Sequence, residues 1–229
     1  MSNSKIPASA FGFLKELSKH NNRDWFTANK DRYLTELNFM ELFAESLLRE
    51  MNKHDVIETA TGKKSLHRIY RDVRFSKNKT PYNTHWGGGF KRASKARRGS
   101  YYFHLSPGNS FIACGFWGPE PKDLKRIRDE FAFDDKAFRK ITSAKSFIDT
   151  FGNLQGEQLK TCPQGFDPQS KAIDLLRYKQ FLLITHFDDK EVLAENFVKK
   201  VNGVFKKTRP FLDYMSEVLT TDVNGISTI

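Results

Sequence analysis

Apolar positions along the first fifty residues recur at helical spacing. Phe11, Leu14 and Leu17 mark a short helix opening at Ser9 or Ala10 and stopping near Asn21-Asn22. Trp25, Phe26, Tyr33, Leu37, Met40, Phe43, Ala44, Leu47 and Met51 predict one long helix from about Asp24 to Met51, its other face filled by Glu, Lys, Arg and Asn. From Ser65 the period shortens. Ile69, Val73 and Phe75 alternate with polar neighbours, which predicts a strand over Leu66 to Phe75 with one buried face. A second extended segment follows the turn Ser76 to Pro81 and runs through His85 to Phe90. Next, Ser100 to Leu105 and Ser110 to Phe116 flank Ser106-Pro107-Gly108-Asn109, the pattern of a hairpin.

Helical periodicity returns over Glu120 to Glu130 and Asp134 to Thr150. A Gly- and Pro-containing stretch leads to a strand over Tyr178 to His186, a helix from Asp189 to about Phe205 and a last helix after Pro210. Strands joined by short connections pair antiparallel, and their segregation from the helices predicts an α+β fold with helices packed on the sheet. With no low-complexity divider, residues 1–229 are expected to form a single domain: N-terminal helices over 9–51, a basic sheet-forming part over 61–118 and a mixed C-terminal part over 119–229.

Composition narrows the class. Aromatic residues make up 14% of the chain, with 21 Phe, which excludes disorder. Cys114 and Cys162 have no CxxC spacing, Met1 to Pro7 lacks an apolar signal segment, and no apolar run reaches membrane-spanning length, so a reduced, cytoplasmic protein with no membrane association is expected. Phe-Asp-Asp-Lys occurs at Phe133 to Lys136 and again at Phe187 to Lys190. Both copies stand where helices begin, so capping is expected there rather than a metal site.

Charge is the most uneven property. Between residues 61 and 100 stand twelve Lys and Arg against the single Asp72, which equals the +11 of the whole chain; the remainder is neutral. A concentrated positive field attracts a polyanion or a phosphate group. In the predicted strand Arg68, Tyr70, Asp72 and Arg74 share one face, leaving Arg71 among the apolar side chains. An unpaired buried charge costs several kcal/mol, so Arg71 needs a carboxylate partner or a bulge that re-aims it. Arg68, Arg71, Arg74, Lys77, Lys79 and Tyr82 are the candidate anion-binding residues. Asp72, flanked by Arg71 and Arg74, is expected to be ionised and so a poor general acid; it is a candidate to orient an arginine fork, to ligate a metal or to form an internal salt bridge. The loop from Ser76 to Thr80 offers hydroxyl, ammonium and backbone N–H groups that can cradle phosphate.

His85 and His104, on neighbouring strands, are candidates for an acid/base pair, although each also fits a structural role. Gly87-Gly88-Gly89 lacks the Walker and Rossmann spacings and instead permits close approach of a backbone or ligand. The basic run Lys91 to Arg98, beside Trp86, Phe90, Tyr101 and Tyr102, suggests a groove combining phosphate contacts with base stacking. No metal-ligand or nucleophile motif occurs, and no cofactor is expected.

Arg68-x-x-Arg71-Asp72-x-Arg74-Phe75, continuing to Asn78-Lys79-x-Pro81-Tyr82, resembles the signature of a bacterial and fungal family known as domain of unknown function 2461. Asn21-Asn22-Arg23-x-Trp25-Phe26-x-x-Asn29-Lys30-x-x-Tyr33 is similar to that family's N-terminal pattern. Tyr102 to Gly108 and Gly115-x-Trp117-x-Pro119 resemble it too. The resemblance implies a one-domain layout and carries no activity. Three readings stay open: a polyanion-binding module for DNA or RNA with ~4–6 phosphate contacts, an enzyme holding a phosphorylated small molecule on Arg68, Arg71 and Arg74, and a structural ion-pair motif with function elsewhere.

Overall fold

The computed structural model describes residues 4–93, 95–222 and 225–229; residue 94 of the basic run and residues 1–3 of the N-terminus lie outside them. In chain order the elements are α1 (Ala8–Lys19), α2 (Arg23–Ala28), α3 (Lys30–Met51), α4 (Gly62–Ser65), β1 (Trp86–Lys91), β2 (Ser100–Leu105), β3 (Ser110–Phe116), α5 (Pro121–Phe133), α6 (Lys136–Thr142), α7 (Lys145–Phe151), α8 (Ile173–Leu176), β4 (Phe181–Phe187), α9 (Asp189–Val192), α10 (Phe197–Lys207) and α11 (Arg209–Thr220). The four strands form an antiparallel sheet in the order β1-β2-β3-β4, and with the helices they make an α+β fold. The hairpin β2–β3 turns at the residues whose composition marks it, with Asn109 N–H donating to Ser106 O at 3.0 Å.

The chain divides into two compact units. The first comprises 1–90, 102–112 and 186–203; the second comprises 91–101, 113–185 and 204–229. In the first, α1 buries Phe11, Phe13, Leu14 and Leu17, while α3 buries Met40, Phe43, Leu47 and Met51. Phe43 meets Phe103 of β2 edge-on at 5.4 Å between centroids and stacks on Phe197 at 5.7 Å. Gly88 lets β1 close onto this core: a Cβ there would lie 2.5 Å from the Phe103 ring, far inside contact distance. In the second unit Phe131 of α5 packs on Phe138 of α6 and on Phe181 of β4, and Phe138 in turn packs on Phe211 of α11.

Four expected elements differ, among them the helix over Asp134 to Thr150, which is α6 and α7 with 143–144 outside both. The long helix over Asp24 to Met51 is two helices, α2 and α3, broken at Asn29, whose side-chain amide donates to Trp25 O at 2.9 Å. Asparagine offers the backbone this local alternative to helix continuation. The helix expected from Asp189 to Phe205 is likewise α9 and α10, with 193–196 outside both. Asp188 and Glu191 do form a reciprocal capping box at its start.

The fourth difference decides the site. Leu66 to Phe75 is not a continuous strand. It touches its antiparallel partner only at the isolated bridges Leu66 to Gly88 and Tyr70 to Tyr82, then leaves. Asp72 Oδ1 accepts the Arg74 N–H at 3.2 Å and Asn78 Oδ1 accepts the Thr80 N–H at 2.9 Å; two such side-chain turns divert the backbone from ladder pairing. Pro81, which has no N–H, weakens the facing segment further. Alternation therefore fails beyond Ile69: Ile69 is buried, but Phe75, expected on the same buried face, is 97% exposed.

Candidate functional site

Residues 66–82 form an arm rooted in the first unit. At its base His67 N–H donates to Gly87 O (2.8 Å), Arg71 N–H to Pro81 O (2.9 Å) and Asn83 N–H to Ile69 O (2.7 Å). Asn21 acts as a surrogate strand partner. Its Nδ2 donates to Tyr82 O at 2.9 Å and its Oδ1 accepts the Tyr82 N–H at 3.1 Å. Asn22 caps α2 by accepting the Trp25 N–H, and Phe26 of that helix stacks on Tyr82 at 4.0 Å between centroids. Tyr82 is thereby buried, and its ring packs the root of the arm. The two consecutive asparagines thus hold the arm and start the helix that seats it.

The three arginines of the motif have separate partners. Arg71 donates from one guanidinium nitrogen to the carbonyl oxygen and hydroxyl of Thr80, at 3.0 and 2.5 Å. Neither a carboxylate nor a bulge answers this charge; its partner is the opposite leg of the arm. Arg74 grips Asp72 in two parallel bonds, the shorter 2.6 Å, and lies 5.9 Å from the Phe75 ring. The Arg74 guanidinium first, and its backbone N–H second, hold the Asp72 carboxyl below its ordinary range, with Arg68 adding to the effect. Asp72 and Arg74 are both largely solvent-exposed, where such a pair contributes little to stability. Lys79 donates to Val73 O and Arg74 O and closes the tip. Arg68 and Lys77 are exposed and form no ion pair among the described residues. Phe75 and Tyr70, 97% and 56% exposed, stand in the same arm.

The run Lys91 to Arg98 behaves differently. Arg92, in the second unit, has a side chain 1% exposed. It donates to Arg98 O, Leu212 O and Ser216 Oγ at 3.1 to 3.2 Å and pairs with Asp213. Arg98 pairs with Asp123, while its N–H donates to Ser216 Oγ at 3.0 Å. Two of the cations expected at a solvated basic surface are structural clamps. The rings expected beside them, Trp86, Phe90 and Tyr101, are buried, which removes them as stacking surfaces.

His85 and His104 do come together, with ring centroids 4.0 Å apart and 26° between planes. His104 Nδ1 shares a 3.2 Å hydrogen bond with the Tyr102 hydroxyl. Tyr102 stacks on His67 at 5.6 Å. On its other side His104 stacks on Phe111 of β3 at 4.7 Å, and Phe111 meets His186 of β4 at 5.7 Å. The rings cross the sheet in strand order. Burial pushes His104 down to about 4, with His85 adding to the shift, and pushes His85 and His67 down too. None of these shifts involves a carboxylate, so the three imidazoles are neutral at pH 7. Gly87 makes room beneath them: a Cβ there would lie 3.1 Å from the Tyr102 hydroxyl and 3.2 Å from the His85 ring. The residues that sequence reasoning passed over, His67, Phe111 and His186, become visible only once strand order is known. Strand alternation already places Tyr102 and His104 on one face of β2.

No group of three or more His, Cys, Asp or Glu suited to a metal occurs among the described residues, and none of their helices is long and apolar enough to cross a membrane. The chain belongs to the family described as "Conserved hypothetical protein (DUF2461)", which it matches over residues 9–214. No curated protein and no solved structure matches it.

Proposed function

We propose that the protein binds a polyanion, nucleic acid above all, through the arm 66–82 and the adjoining α4. The observation that carries this reading is the combination at the arm's surface. Arg68 and Lys77 are exposed on the same arm as Arg74 and Lys79, Lys64 is exposed on α4, the one acid of the arm is already held by Arg74, and Phe75 stands in solvent next to Arg74. An exposed phenylalanine among cations has no packing role; it suits stacking on a base whose phosphate lies on the neighbouring charges.

About four or five phosphate contacts on a single strand would make log affinity fall with log salt at a slope of about −3. Filter binding of DNA and RNA over a salt series tests this. Retention at low salt with that slope supports the reading; no retention, or a flat salt response, overturns it. Arg71 and Arg74 have separate partners, so a bidentate clamp for a phosphorylated metabolite would first require both to be released.

A further inference from the structure

The ring row on the sheet belongs to the same unit as the arm, and His67 joins the two: its backbone is bonded to Gly87 at the arm's root while its ring stacks on Tyr102. A row of this kind presents ring edges upward from the sheet. A neutral imidazole edge carries one donor and one acceptor nitrogen. Neither ring nitrogen of His85 or His67 has a hydrogen-bond partner among the described residues, and those of His104 share only Tyr102. Such edges offer no charge to a phosphate. They match a planar, uncharged ligand that is itself bordered by donors and acceptors.

A nucleobase has that chemistry, and the adjoining arm has the charge to hold the phosphates that accompany it. We infer that the sheet face bearing His85, His104, Phe111 and His186 receives the bases of a single strand whose backbone follows the arm. This rests on the polyanion reading above and adds to it a second surface that reads the bases themselves. A duplex does not suit this face, because its base faces are stacked on one another and its Watson–Crick edges are already paired. His186, exposed and last in the row, offers its ring to stacking, and His85 and His104 offer their edges to hydrogen bonds.

Fluorescence anisotropy with a twelve-residue oligothymidylate and an abasic strand of equal length separates the two surfaces. The wild type is expected to bind the base-containing strand about tenfold more tightly. In His104→Phe, which keeps a ring, and in the surface variant His186→Ala, that gap should close to within about threefold while abasic affinity is unchanged. The double variant Arg74→Ala/Lys77→Ala should weaken both strands. Equal wild-type affinity for the two strands, or a gap that survives both histidine variants, overturns the inference. If neither strand binds, the polyanion reading falls, and imidazole NMR with uncharged uridine and adenosine decides the sheet face by itself. Shifts at His85, His104 and His186 sustain base recognition; unmoved resonances overturn it.

Discussion

Two arginine-rich segments, some twenty residues apart, have opposite fates. The arm 66–82 has the more apolar pattern, yet most of its cations and its Phe75 end in solvent. The run 91–98 reads as an undifferentiated basic loop, yet Arg92 is buried within its unit and Arg98 is tied to Asp123. The difference is one of available partners. Arg92 meets two carbonyl oxygens, a serine hydroxyl and Asp213, enough acceptors to satisfy a desolvated guanidinium. The arm has one carboxylate, Asp72, which engages Arg74 locally; its other acceptors serve Arg71 and Lys79, and Arg68 and Lys77 form no ion pair among the described residues. A high density of positive charge therefore marks a surface only where acceptors are scarce.

The sharpest way to break this contrast is to exchange the roles by mutation. Arg92→Ala removes a buried donor set and should destabilise the fold by about 3 kcal/mol in urea melts, a little below a fully buried pair because Asp213 is half-exposed and also held by Arg209. Arg74→Ala/Lys77→Ala should leave the urea melt superimposable on that of wild type, because both cations lie in solvent. The same double variant should reduce the salt slope of nucleic-acid binding by roughly 1.4. If it unfolds the protein as readily as Arg92→Ala, the arm is structural and the contrast disappears.

Gly88→Ala would force a methyl group into the Phe103 ring and should cost about 2 kcal/mol by the same melts. Phe75→Ala should not alter the melt at all, while weakening single-strand binding by about threefold, the part of the base preference that outlasts the histidine variants. Unchanged binding by this variant would reduce Phe75 to an incidental exposed ring.

A last test concerns pH and acts on the sheet face rather than on the arm. His104 is held at about 4 in the folded chain against an ordinary 6.5, so between those values the unfolded chain binds the extra proton. The stability this neutral ring contributes is complete above about pH 6.5 and is lost as pH falls towards 4, where the loss levels off. His85 and His67 shift in the same direction. Thermal melts of wild type should fall across that window, and those of His104→Phe should fall less steeply. Parallel curves would show that the ring row does not couple to folding.

Local patterns made much of this legible. The β2–β3 turn and the Asp188 capping box follow from side-chain chemistry acting over a few residues. The arm's departure from the sheet was present in the sequence as Asp72, Asn78 and Pro81, but hydrophobic alternation through Ile69, Val73 and Phe75 argued for a strand. Asx turns won because each satisfies a backbone N–H within two residues, without waiting for a distant partner. Arg71 illustrates the limit from the other side. Its need for a partner was predictable, but a threonine nine residues away was not a carboxylate.

By itself the sequence determined the α+β class, the concentration of charge into forty residues and membership of the family, because these depend on composition, spacing and short-range periodicity. Only the tertiary structure decided which cations are buried and which reach solvent. It alone aligned His85, just before β1, with His104, Phe111 and His186 of β2, β3 and β4. Both outcomes depend on which acceptors and which strands lie alongside, and long-range pairing of that kind leaves no mark on any single segment.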